Sequence, residues 1–114
     1  MAFFTVSSSM LGTALVVQAN GELDYRHAPV FRSELTKAWE AGTPPLVVID
    51  LTGLTFCDST GMAELILGLQ RSHALGTRLV LAGVHGTLER ILAITGLRSS
   101  FEVFPSVEEA LRSA

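Results

Sequence analysis

Residues 46–69, LVVIDLTGLTFCDSTGMAELILGL, decide how the rest of the chain is read. The stretch opens on Leu46, Val47, Val48 and Ile49, an unbroken apolar run rich in β-branched side chains. Such a run suits a strand covered on both faces, as in the middle of a parallel sheet. Thr52 and Gly53 then mark a turn, and the polar cluster Asp58-Ser59-Thr60-Gly61 follows. Met62, Leu65, Ile66 and Leu69 recur at helical spacing, on one side of an amphipathic helix. The polar cluster is therefore expected in the crossing from a buried strand to the first turn of a helix. That places Ser59 where backbone N–H groups have no partner within the helix. Ser59 is the candidate functional residue.

Working outward, residues 3–6 and 14–18 read as two short strands joined around Gly12, a connection that favours antiparallel pairing. Asn20-Gly21 punctuates the chain, and Pro29 suits the first turn of a helix whose apolar stripe is Phe31, Leu35, Ala38 and Trp39. Gly42 and Pro44-Pro45 end it. The helix after the polar cluster runs to about Leu75, with Gly76 as terminator. Leu79 to Leu81 form the next strand, Gly83 and Gly86 bracket a loop, and Leu88, Ile91 and Leu92 mark a helix stopping at Gly96. Phe101, Val103 and Phe104 form a last strand, and Val107, Ala110 and Leu111 a terminal helix. Strands alternating with helices in this way imply right-handed crossovers onto a parallel sheet. The expected architecture is one α/β domain over residues 1–114: a mostly parallel central sheet, one antiparallel edge strand and about four helices.

Composition removes several function classes. The formal net charge is -3, with 8 basic and 11 acidic residues in no block of one sign, so a nucleic-acid groove has no electrostatic footprint. Cys57 is the single cysteine, which excludes an internal disulfide and a cysteine-cage metal site and fits a reducing cytoplasm. No apolar run approaches the roughly 20 residues that span a bilayer. The N-terminal MAFFTVSSSM has no basic leader and is not expected to be a signal peptide. A cytoplasmic domain without membrane insertion is the expectation.

Catalysis by the chain alone is disfavoured. Ser59 lacks the G-x-S-x-G elbow of a nucleophilic serine, since Cys57 and Gly61 occupy the flanking positions. Nothing in the spacing brings His27, His73 or His85 beside it, and no two histidines stand three or four residues apart. The segment from Gly53 to Gly61 has no lysine, so it is not a P-loop. Two readings of the cluster remain. Asp58, Ser59 and Thr60 are all favoured N-caps, and the cluster reads as a helix cap alone. It also reads as a modification site. Phosphorylation adds about -1.5 to -2 charges and three acceptor oxygens, which a helix N-terminus accommodates. Beside Asp58 that charge would repel a docked partner by roughly 3 kcal/mol, on the order of 100-fold in affinity.

The chain resembles a STAS domain of the stand-alone bacterial anti-sigma factor antagonist type. Gly21-Glu22-Leu23-Asp24 is similar to the family's G-E-[LI]-D, Asp50-Leu51-Thr52 to its D-L-[ST], and Phe56-Cys57-Asp58-Ser59-Thr60-Gly61 to its F-x-D-S-[ST]-G, with Thr60 in place of the commoner second Ser. Leu79 to Gly83 and Thr95-Gly96-Leu97 fall where the family has a later strand and a G-L turn. The resemblance implies that Ser59 is phosphorylated by the partner, an anti-sigma factor that is also a serine kinase. The unmodified antagonist binds the anti-sigma factor and frees a sigma factor; the phosphorylated form lets go. A metal-dependent serine phosphatase resets it. The kinase supplies ATP and Mg²⁺, so no cofactor is expected here. The partner-binding residues so implied are Asp24, Asp58, Ser59, Thr60, Gly61 and Met62, with Met62 assignable to core packing and Asp24 to a turn or cap. The alternative is an adaptor subunit of a stress-signalling assembly or transporter complex, in which the same surface binds without phosphorylation.

Overall fold

The apolar run at 46–49 lies at the centre of a six-stranded sheet, with Val47, Val48 and Ile49 fully buried. The computed structural model describes residues 3–114; residues 1 and 2, part of the N-terminal stretch weighed as a leader, lie outside the described residues. Strands β1 (Phe4–Leu11) and β2 (Ala14–Leu23) precede helix α1 (Ala28–Glu40). Then come β3 (Leu46–Asp50), β4 (Leu54–Cys57), α2 (Ser59–Ala74), β5 (Arg78–Ala82) and α3 (Gly86–Thr95). A 3₁₀ turn (Leu97–Ser100), β6 (Glu102–Phe104) and α4 (Val107–Arg112) close the chain. The strand order is β1-β2-β3-β5-β6, with β4 paired to β2 beyond the end of β3. Only β1 runs antiparallel to its neighbour, as expected of an edge strand joined by a short turn.

Alternation along β2 divides the interior into two layers. Leu15 and Val17 face α1, α2 and α3, where Phe31, Leu35, Leu65 and Leu92 meet them in the larger core. Ala14 and Val16 face the other way, with Val48, Val80 and Ala110, under α4. Each helix covers one sheet face with its apolar stripe, so neither face of the buried strands meets water. Between α1 and α2 a charged pair interrupts the packing: Arg32 Nε donates to Glu64 Oε1 at 3.0 Å, and Arg32 Nη2 to Oε2. Glu64 is buried, so its charge is tolerated only because the guanidinium grips both oxygens. No helix among the described residues is long and apolar enough to cross a membrane.

Several details differ from the sequence expectation: β1 continues to Leu11 where a strand over 3–6 is expected, and two others share one physical reason. Asn20-Gly21 reads as punctuation but lies inside β2, and β4 was absent from the expected order of strands. After β3 the chain makes a turn in which Leu54 N–H donates to the Leu51 carbonyl at 3.0 Å. The chain then returns beside β2. β2 pairs with β3 as far as Gln18 and with β4 from Gly21; Gly21 and Glu22 face Leu54 and Phe56, which leaves Thr55 as the extra residue of a bulge on β4. Gly21, opposite this bulge, has a φ of 95° and lies too close to the Phe3 carbonyl for any Cβ. Four residues, with only Leu54 and Cys57 buried, are too few for an alternation pattern to declare itself. The 3₁₀ turn after Gly96 was likewise unforeseen, and α3 begins two residues before its first apolar marker, Leu88.

Phe31 has no exposed surface and joins α1 to the larger core, its ring meeting Phe4 of β1 edge-on at 6.5 Å. Phe31→Ala is expected to lower unfolding stability by about 3–5 kcal/mol, measured as a lower midpoint in urea with an unchanged slope.

Candidate functional site

All the parallel strands end at the same edge of the sheet, and that edge gathers the loops from Leu23, Cys57 and Ala82. Open α/β sheets place their functional groups outside the carboxyl ends of the strands. Here β4 delivers Cys57 and Asp58 directly into α2, whose first residue is Ser59.

Asp58 is the N-cap. Gly61 N–H donates to its Oδ1 at 2.8 Å, and Met62 N–H to its carbonyl at 2.9 Å. The second carboxylate oxygen, Oδ2, accepts from Tyr25 N–H at 3.0 Å, tying the β2–α1 loop to the start of α2. Asp58 N–H in turn donates to the Leu23 carbonyl at 3.3 Å. Of the three favoured caps in the sequence, one therefore does the capping and two are left over. Ser59 and Thr60 are both exposed, and among the described residues neither hydroxyl takes part in a hydrogen bond. The hydroxyl of Ser59 stands in water beside the first N–H groups of a sixteen-residue helix.

Gly61, Met62 and Asp24 are placed beneath this surface. A Cβ on Gly61 would lie 2.2 Å from the Leu23 carbonyl oxygen and 3.0 Å from Cys57 Sγ, so α2 packs on β2 at a distance that only glycine permits. Met62 is 4% exposed and fills the larger core; of the two roles open to it, core packing matches its position. Asp24 is also buried and organises the loop after β2. It accepts from Arg26 N–H at 3.0 Å, His27 N–H at 3.2 Å and Arg26 Nη2 at 3.1 Å. His27 Nδ1 lies 2.9 Å from both Asp24 Oδ1 and the Glu22 carbonyl oxygen, two acceptors that require this nitrogen to carry the proton. Asp24 is thus a turn and cap residue with little surface to offer a partner. Desolvation pushes its carboxyl up, but the hydrogen bonds from Arg26 and the His27 backbone, with the charges of both residues, outweigh that and hold it below its ordinary value.

Burial, with Asp58 alongside, pushes the Cys57 thiol up to about 12, which suppresses the reactive thiolate. His85 Nε2 is 3.0 Å from the Thr52 carbonyl oxygen, His27 is engaged as above, and His73 sits fourteen positions along α2, about 21 Å from Ser59 at the helical rise. None is a hydrogen-bond partner of Ser59. Among the described residues no group of three His, Cys, Asp or Glu side chains is arranged to hold a metal. Tyr25, 68% exposed with Arg26 over its ring at 5.9 Å, borders the site and drew no attention in the sequence; an aromatic directly after the G-E-L-D motif was the available signal.

The geometry meets known proteins at this point. The STAS domain family model matches residues 7–110. A Mycobacterium tuberculosis protein provisionally named an anti-anti-sigma factor is 33% identical over 101 residues, covering 88% of this chain and 68% of its own. The crystal structure of an anti-sigma factor antagonist from Mycobacterium paratuberculosis superposes with a TM-score of 0.87 at 24% identity, over 97% of this chain and 93% of that one. The anti-sigma factor antagonist SpoIIAA of Bacillus, solved in unphosphorylated and phosphorylated forms, gives TM-scores of 0.79 and 0.75 at 21% identity. The two forms cover 94% and 96% of this chain, and the chain covers 93% and 98% of them.

Two measurements check the local physics. Asp58→Ala is expected to cost about 1–2 kcal/mol in urea unfolding, and Asp58→Asn, which keeps an acceptor for one of the two N–H groups, less than that. For Asp24 the folded carboxyl titrates below the unfolded one, so its contribution is complete above the ordinary value of 3.8 and disappears as pH falls through the lower folded value. Asp24→Asn is expected to remove that contribution, giving a shallower loss of stability on acidification than the parent chain.

Proposed function

This chain belongs to the STAS domain family, and within it we propose that the protein is an anti-sigma factor antagonist switched by phosphorylation of Ser59. The observation that carries the reading is the separation of duties at the start of α2. Asp58 satisfies the helix, and Ser59 next to it is exposed with its hydroxyl uncommitted. A residue needed for capping cannot be modified without loss of the cap. A residue excused from capping can be.

In the unmodified form Ser59 and Thr60 present small neutral hydroxyls, and an anti-sigma factor docks over them in the cytoplasm, releasing its sigma factor. The docked partner is itself the kinase and brings its own ATP and Mg²⁺; no group on this chain takes part in activating the hydroxyl. Transfer of the γ-phosphoryl to Ser59 Oγ releases ADP, and the hydroxyl proton leaves with the kinase base. The product carries about -1.5 to -2 charges beside the Asp58 carboxylate. The N–H groups of Ser59 and Thr60, which precede the first capped donor at Gly61, favour that charge on the folded domain. The fold is therefore retained while the surface is inverted electrostatically, and the complex separates. A metal-dependent serine phosphatase restores the hydroxyl.

The test combines a cognate kinase, ATP, phosphopeptide mapping and a binding assay. Phosphate is expected on Ser59 alone. Ser59→Ala is expected to bind like the unmodified chain and Ser59→Asp about 100-fold more weakly, with unfolding stabilities of all three within about 1 kcal/mol. Equal binding by the two variants would instead favour the adaptor role, in which this surface docks constitutively.

A further inference from the structure

The two borders of the sheet are treated differently. On one side β6 is three residues long, carries Glu102 and runs into Pro105, which are ordinary means of blunting an edge. On the other side β1 is eight residues long, FTVSSSML, with no charge, no proline and an uninterrupted register against β2. The Phe3 carbonyl accepts from Glu22 N–H at 2.8 Å, so in the alternating antiparallel ladder the odd-numbered residues bond inward to β2. The even-numbered residues, Phe4, Val6, Ser8 and Met10, therefore turn their N–H and C=O groups to the open edge.

We propose that this edge pairs with β1 of a second copy of the chain, antiparallel about a two-fold axis through Ser7, to form one continuous sheet across a homodimer. In that register the strand sets its large apolar side chains at both ends against one another. A two-fold perpendicular to the sheet keeps each face on its own side, so paired residues must share a face, which restricts the axis to a residue and not a gap between two. With the axis on Ser7, Phe4 lies opposite the partner's Met10 and Val6 opposite the partner's Ser8, and these are the four residues whose backbone groups face outward. Each outward donor and acceptor then has a counterpart. On the other sheet face Thr5 meets the partner's Ser9, and Phe3 meets the partner's Leu11; these two apolar side chains are 56% and 50% exposed in the single chain. Phe4/Met10 and Phe3/Leu11 are apolar pairs, Thr5/Ser9 and Ser7/Ser7 are hydroxyl pairs, Val6 meets the small Ser8, and no charged side chain lies on the paired strands. Moving the axis to Ser8 sets Thr5 against Leu11 and leaves Phe4 opposite Gly12.

A second feature coincides with this edge. The seam between β1 and α1 holds two hollows that share Lys37. One of about 510 Å³ lies beside Met10, Lys37 and Pro44, and one of about 350 Å³ beside Val6, Pro29 and Val30. The sheet face of β1 that borders this seam is the one on which Phe4 and Met10 pair, so the incoming strand brings its large side chains to these hollows and its serines to the axis. The interface uses neither Ser59 nor Asp58 and is independent of the switch.

Sedimentation equilibrium of the full chain over a concentration series is expected to give a mass twice that of one chain, falling to one chain on dilution. Ser7→Lys sets two like charges across the axis on an exposed position and is expected to raise the dissociation constant at least about tenfold, with unchanged circular dichroism. Ser7→Cys is expected to form an intermolecular disulfide on mild oxidation. Thr5→Cys, which faces Ser9 of the other copy, is expected not to do so. A single-chain mass throughout, or equal cross-linking through positions 5 and 7, overturns the proposal.

Discussion

A carboxylate has two oxygens, and Asp58 gives one to Gly61, three residues ahead, and the other to Tyr25, 33 residues back. One holds the N3 amide of its own helix; the other holds Tyr25, in the loop that follows β2. The bond from Asp58 N–H to the Leu23 carbonyl completes a three-way join between β2, β4 and α2. Gly61 makes the join possible by letting the helix backbone approach the strand more closely than any Cβ allows. Remove either element and the first turn of α2 is no longer held at a fixed height above the sheet. A switch that works by charge needs that fixed height, because repulsion falls off with every ångström a flexible loop could retreat.

In the proposed switch, the same arrangement lets a covalent step on Ser59 act without help from this chain's own side chains. The scaffold supplies a rigid address, and the negative charge is accommodated by dipoles that the helix already has. What changes is the meaning of the surface to a partner, at little cost to the fold beneath. The buried neighbours sharpen this division. Cys57 is kept protonated by burial, Met62 faces the core, and Asp24 is consumed by its own loop, so the motif offers outward the hydroxyls of Ser59 and Thr60 and the partly exposed ring of Phe56.

The strand at 46–49, the amphipathic helix after it and the exposed position of Ser59 were legible because each is a periodic or local signal. Phe31, Leu35 and Trp39 were legible as a stripe for the same reason. The identity of the cap was not: Asp58, Ser59 and Thr60 are chemically equivalent candidates until tertiary structure brings Tyr25 N–H within reach of one of them. Strand β4 was hidden because it exists only through its pairing with β2, and Asn20-Gly21, where β2 meets it, looks in sequence like a loop. The role of Asp24 was ambiguous in the same way, since a turn residue and a contact residue share a composition. Long-range partners decide these cases, and residue type alone does not name them.

The connection between β1 and β2 is a two-residue turn at Gly12-Thr13, with Gly12 at a φ of 64°, the backbone region for which glycine is suited. Every other pairing in the sheet joins strands separated by a helix or by another strand. The hairpin is thus the one piece of sheet that can assemble from neighbouring residues, on a timescale of about 1–10 μs, before slower loop closures bring β3 and β5 into place. During that interval β2 waits as a half-finished template. The surroundings of Ser59 have no such local route: they require Tyr25 and Asp58, 33 residues apart, to be brought together.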